Sequence, residues 1–167
     1  VVFSTCVIPI LAIAMMSALN LIDSIEMKSH KQRLIPLIAT MVCYFSMYMF
    51  LMRDDSIPDI LEATALGVCI ALSMAFVISV FYKISLHGMG AGSLWIAVLY
   101  LTRHYYYTYI ELDFGTLGVL SINMLILLMI TTVISGLIMT ARLIRGSHSR
   151  KQVYMGFVVG MFSQFVA

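Results

Sequence analysis

The sequence predicts an all-α integral membrane bundle of six transmembrane helices, a single membrane domain over 1–167, and three observations carry that expectation. Hydrophobic types make up 62% of the residues and charged types 11%, against about 25% charged in an ordinary soluble domain. Runs free of Asp, Glu, Lys and Arg cover 1–22, 34–52, 63–82, 84–102, 114–141 and 152–167. They measure 22, 19, 20, 19, 28 and 16 residues, together 124 of 167 positions. A hydrocarbon core of about 30 Å takes roughly 20 apolar residues of helix to cross. A soluble chain of this size could neither bury so much apolar surface nor coat it with so few charges. A soluble enzyme, a nucleic-acid reader, a disulfide-stapled secreted module and a disordered chain are excluded.

Taken in order, the expected spans are 1–22, 34–52, 60–82, 87–102, 116–140 and 152–167. The first lacks a basic n-region and is long enough to span, so a signal peptide is a poor fit. The chain opens with Val and stops inside an apolar run at Ala167, which leaves open whether either terminus continues. A membrane β-barrel would need apolar and polar residues to alternate over about ten positions. Runs such as Val119–Met129 and Ala63–Tyr82 show no such alternation, which favours helices. Span six carries Gly156-x-x-x-Gly160, a small-residue face for helix packing. Cys6, Cys43 and Cys69 each fall within a span and form no C-x-x-C pair, so they read as packing residues.

Six spans leave five loops, and loops 1, 3 and 5 share one side. They hold Lys28, Lys31, Arg33, Lys83, Arg142, Arg145, Arg150 and Lys151, whereas loops 2 and 4 hold only Arg53 and Arg103. Asp54, Asp55, Asp59, Glu62, Glu111 and Asp113 lie with the latter pair. The positive-inside rule alone explains this bias and puts the odd loops in the cytoplasm. A second reading is a cationic pocket suited to phosphate, since Arg offers a bidentate fork and Lys a point charge. Both readings stand on charge alone. His30, His87 and His148 tilt toward the pocket, because topology does not require histidines on that side. His104, beside Tyr105–Tyr107 and Tyr109, belongs to an interfacial aromatic belt opposite.

Loop 3 is nearly absent. Tyr82-Lys83-Ile84-Ser85-Leu86-His87-Gly88-Met89-Gly90-Ala91-Gly92 puts a Ser and a His at a helix junction, followed by three glycines. Those glycines allow close backbone approach, and exposed N–H groups at a helix start favour an anion. Gly88-x-x-x-Gly92 equally reads as a helix-packing face.

In these loops the sequence resembles the phosphatidic acid phosphatase type 2 family, which shares its fold with vanadium haloperoxidases. The family pattern has three blocks: K-x6-R-P, P-S-G-H and S-R-x5-H-x3-D. Ala141-Arg142, His148 and Gln152 reproduce the spacing of the third block. Ser85-Leu86-His87 keeps the Ser and His of the second. Lys28, Arg33 and Pro36 follow the order of the first, with Arg three positions before Pro instead of adjacent.

The resemblance implies a lipid phosphatase acting on a phosphate or diphosphate without metal or cofactor. His148 would be the nucleophile that forms a phosphohistidine, and His87 the general acid. Lys28, Arg33, Ser85, Gly88 and Arg142 would hold the phosphoryl oxygens. Phosphoryl transfer is mostly positioning and charge stabilisation, which suits such a set. Gln152 stands where the family has the Asp that supports the nucleophile, and Ala141 lacks a hydroxyl. In another His-based enzyme class, turning the supporting Asp into its amide costs about 10⁴ in turnover. The alternative is therefore a silent relative that binds a phospholipid headgroup or serves as an assembly subunit. A small transporter is disfavoured, since no pair of broken mid-span helices stands out. The expected partners are a lipid phosphate and the membrane, with no nucleic acid and a homo-oligomer left open. The expected location is a bacterial cytoplasmic membrane.

Overall fold

The computed structural model describes residues 7–18, 34–54, 56–104, 109–113, 115 and 118–167. Lys28 and Arg33, with the rest of loop 1, Cys6 and Tyr105–Tyr107 lie outside the described residues. The chain is mostly helical: α1 Ile8–Ala18, α2 Leu34–Leu51, α3 Asp59–Phe81, α4 Leu86–His104, α5 Met124–Ile144 and α6 Arg150–Val166. Three of these, α2, α3 and α5, are long and apolar enough to cross a membrane.

Span five departs from expectation. Within it Val119–Asn123 form a strand, β2, paired antiparallel with β1 (Tyr109–Asp113) so that Ile110 faces Ile122 and Glu111 faces Ser121. The helix begins only at Met124, where Asn123 caps it by accepting a 2.8 Å hydrogen bond from the Leu125 N–H. The physical reason lies in length. An uncharged run of 28 residues exceeds by about eight what a bilayer requires. The surplus, rich in β-branched and aliphatic residues, satisfies its backbone in a hairpin.

The interior combines a few large apolar side chains, Leu37, Leu51, Ile84, Met89 and Met124 among them, with many small and hydroxylic residues. Gly67, Ala71, Ala75 and Ser79 recur every fourth residue along the buried face of α3. Ser85, Ser93, Thr131, Ser135 and Ser163 are also buried, while Phe45, Phe50, Val77, Phe81, Met129, Leu137 and Phe165 point outward. Many large apolar side chains outside and small ones along the helix contacts is the arrangement that lipid favours, because packing there depends on close approach. Hydroxyls follow the same logic. Thr40, Ser46, Thr64, Ser73, Thr102, Thr131, Thr132 and Ser163 each donate to the carbonyl four residues earlier in the same helix. That satisfies them without water.

The tightest contact joins α4 and α6. A Cβ on Gly156 would strike the Ser85 carbonyl, one on Gly160 the Met89 carbonyl, and one on Gly92 the Phe157 carbonyl. A Cβ on Gly88 would sit 2.8 Å from the Val153 oxygen. Residue numbers rise together along both helices, so α4 and α6 run parallel, backbone against backbone. Ser93 Oγ spans the seam to the Gly160 carbonyl at 3.0 Å. Helix α5 crosses back antiparallel to α4: Ser135 Oγ donates to the Ala91 carbonyl at 3.3 Å, and Trp95 Nε1–H to Thr132 Oγ1 at 3.0 Å. Helix α3 packs on the other side of α6, with α2 and α1 outside it.

Candidate active site

At one end of the bundle, the start of α4, the end of α5 and the start of α6 come together. Helix α3 stops at Tyr82, which is extended (φ −146°, ψ 139°), and a short connector leads to Ser85. Ser85 is the N-cap of α4: its Oγ accepts from the Gly88 N–H at 3.2 Å. Ile84 and Ser85 are both fully buried, so this junction is anchored, and His87 projects outward from the first turn of α4.

Helix α5 ends through Gly146, whose φ of +62° is left-handed and whose N–H donates to the Leu143 carbonyl at 3.0 Å. Glycine suits such a helix exit because no Cβ obstructs it. Arg142 occupies the last turn, where a cation complements the carbonyl end of the helix. Four residues beyond Arg145, Ser149 caps α6 in a reciprocal box. Ser149 Oγ accepts from the Gln152 N–H at 3.4 Å, and Gln152 Oε1 accepts from the Ser149 N–H at 3.1 Å.

Several contacts join these ends. The Arg142 guanidinium donates to His87 Nε2 across 55 residues of sequence. A guanidinium has only donors, so Nε2 is the acceptor and the neutral ring carries its proton on Nδ1. His148 Nδ1 lies 3.2 Å from Gln152 Oε1. The bond from the Ser149 N–H fixes that oxygen as an acceptor, so His148 donates from Nδ1 and, when neutral, holds its lone pair on Nε2. Lys83 Nζ donates to the Ser147 carbonyl at 3.0 Å, and the Ser85 N–H donates to the Gln152 carbonyl at 3.3 Å. Arg145 adds a further positive charge close to Arg142.

The structure thus brings His87, Arg142, His148 and Gln152 to one end of the bundle. Ser85 and Gly88 are adjacent but occupied with one another: the hydroxyl and the N–H form the cap of α4 in a buried junction. Their position is accounted for by that cap and by the close approach of α6. Lys28 and Arg33 lie outside the described residues. Two features escaped the sequence reasoning. The Ser149-x-x-Gln152 box was visible as a local pattern. The Lys83–Ser147 contact joins residues 64 apart and had no local signal. Among the described residues, no three His, Cys, Asp or Glu side chains stand together as metal ligands would. Comparison with protein families, with curated proteins and with solved structures returns no match.

Proposed function

We propose that the protein is an integral membrane lipid phosphatase that works through a phosphohistidine, in the manner of the phosphatidic acid phosphatases its loops resemble. All six helices would span, including the shorter α1 and α6, in a bacterial cytoplasmic membrane. The observation that carries the reading is the contact of Arg142 with His87 at the end of the bundle that also holds His148. The tautomer that Gln152 imposes on His148 supports it, since the lone pair on Nε2 is what a nucleophile requires.

In the proposed reaction, His148 Nε2 attacks phosphorus as the bond to the lipid oxygen breaks. Arg142 turns from His87 to the phosphoryl oxygens, where its fork is bidentate. His87, relieved of the guanidinium, takes a proton from solvent on the freed Nε2 and, as imidazolium, delivers it to the leaving alcohol. Water then attacks the phosphohistidine and releases inorganic phosphate, restoring His148. With Ser85 and Gly88 committed to the cap, the phosphate grip in this scheme rests on Arg142 and the basic residues of loop 1.

The silent relative remains the second reading, and one observation favours it. Gln152 is neutral and doubles as the capping-box residue of α6, so it orients His148 without offering a charge to an imidazolium. Phosphate release from phosphatidic acid and a prenyl diphosphate separates the two. The phosphatase reading expects turnover that falls sharply in Arg142→Ala and vanishes in His148→Ala. Headgroup binding without turnover supports the second reading.

A further inference from the structure

We propose that Lys83 is the positioning residue of this site, holding the backbone that carries His148. The inference rests on the proposed function for the role of His148, but the geometry behind it stands separately. His148 lies on the stretch between the end of α5 and the start of α6, and that stretch is tied at two points to the α3–α4 connector. Before His148, the Ser147 carbonyl accepts from Lys83 Nζ at 3.0 Å. After it, the Gln152 carbonyl accepts from the Ser85 N–H at 3.3 Å. Both ties leave a connector whose Ile84 and Ser85 are fully buried. The ammonium therefore reaches out from a fixed base, and Lys83 itself is half-buried.

The charge argues in the same direction. Arg142, Arg145, Arg150 and Lys151 already crowd this end, so a further half-buried cation is unfavourable unless its contacts compensate. A carbonyl neighbouring the proposed nucleophile is such a contact. The tie restrains the backbone beside His148 at the end of the bundle where His87 also stands. A nucleophile displaced by about 1 Å can lose on the order of 10²-fold in rate.

The test uses the full chain with Lys83→Met, which keeps the stem and removes the donors, and Lys83→Arg, which restores a donor. Amide hydrogen exchange at Gly146–Ser149 is expected to rise in Lys83→Met and to return toward wild type in Lys83→Arg, with α3 and α6 unchanged as the check on folding. Phosphate release is expected to show kcat lowered about 10–100-fold in Lys83→Met at nearly unchanged KM, and recovered in Lys83→Arg. Unchanged exchange in Lys83→Met overturns the proposal. So does a raised KM with kcat intact, which would make Lys83 a substrate ligand. If the wild type releases no phosphate, the proposed function fails, and the exchange measurement alone decides whether Lys83 holds the loop.

Discussion

Replacing Gly160 with Ala adds a single methyl group at the seam between α4 and α6. That methyl would collide with the Met89 carbonyl oxygen, and the carbonyl carbon and Cα of Met89 would lie only 2.7 and 3.0 Å away. Every obstructing atom is backbone, so no rotamer change relieves the clash and the helices must separate. Overpacking of this kind costs about 1–3 kcal/mol. The gain from putting Ala for Gly inside a helix is roughly 0.5–1 kcal/mol, so the clash wins. At about 2–4 °C per kcal/mol for a chain of this size, the midpoint should fall by several degrees. Gly136 is the internal control: it lies within α5 and a Cβ there meets nothing within 4 Å. Gly136→Ala should leave the midpoint unchanged or raise it by about 1–4 °C. Thermal unfolding in detergent, followed through the thiols of Cys43 and Cys69, reads both variants. If Gly160→Ala melts as high as Gly136→Ala, the backbone-to-backbone contact of α4 and α6 is wrong, and with it the placing of His87 and His148 at one end of the bundle.

The remaining predictions concern charge and topology. Gln152→Glu keeps the reach of the capping box and adds a carboxylate, so phosphate release should rise as the imidazolium formed on His148 is stabilised; a fall would remove Gln152 from the supporting role. Cysteines placed at Ser56 and at Arg145 should react with membrane-impermeant label from opposite sides, and labelling from one side would break the proposed alternation of six spans. Hydrogen bonds from the Ser56 hydroxyl at 2.6 Å and N–H at 3.1 Å hold the Asp54 carboxyl below its ordinary value. The turn they close is therefore supported above the ordinary carboxylate range and loosens as pH falls through the lowered value. Ser56→Ala should move the Asp54 titration, followed by NMR, back up, and an unmoved titration would refute the cause.

The helices were legible because lipid and water sort residues so strongly. Uncharged runs locate α2 and α3 within a few residues and the far end of α5 but not its start, and Arg142 and His148 mark the end of one helix and the approach to the next. The hairpin was not legible. Val119–Asn123 is as uncharged as the helix it precedes, and only its partner at Tyr109–Asp113 distinguishes it. Glycine spacing in α4 and α6 indicated packing faces but not that the two faces meet, nor that the helices are parallel, since both are facts of tertiary arrangement. Ser85 shows how one residue can satisfy two descriptions. Its type and order suit a phosphate site, while its burial and its bond from Gly88 make it a helix cap. The contacts of Lys83 with Ser147 and of Arg142 with His87 join residues far apart in sequence, and no local pattern encodes them.

The central claim, that His148 takes a phosphoryl group, is tested most directly by trapping it. Purified protein would be mixed with phosphatidic acid labelled with ³²P, quenched in alkali and digested, and the labelled peptide identified. The account predicts an alkali-stable, acid-labile phosphate on His148, stronger in Gln152→Glu if hydrolysis of the intermediate is the slower step, and absent in His148→Ala. Phosphate release that persists undiminished in His148→Ala would contradict it.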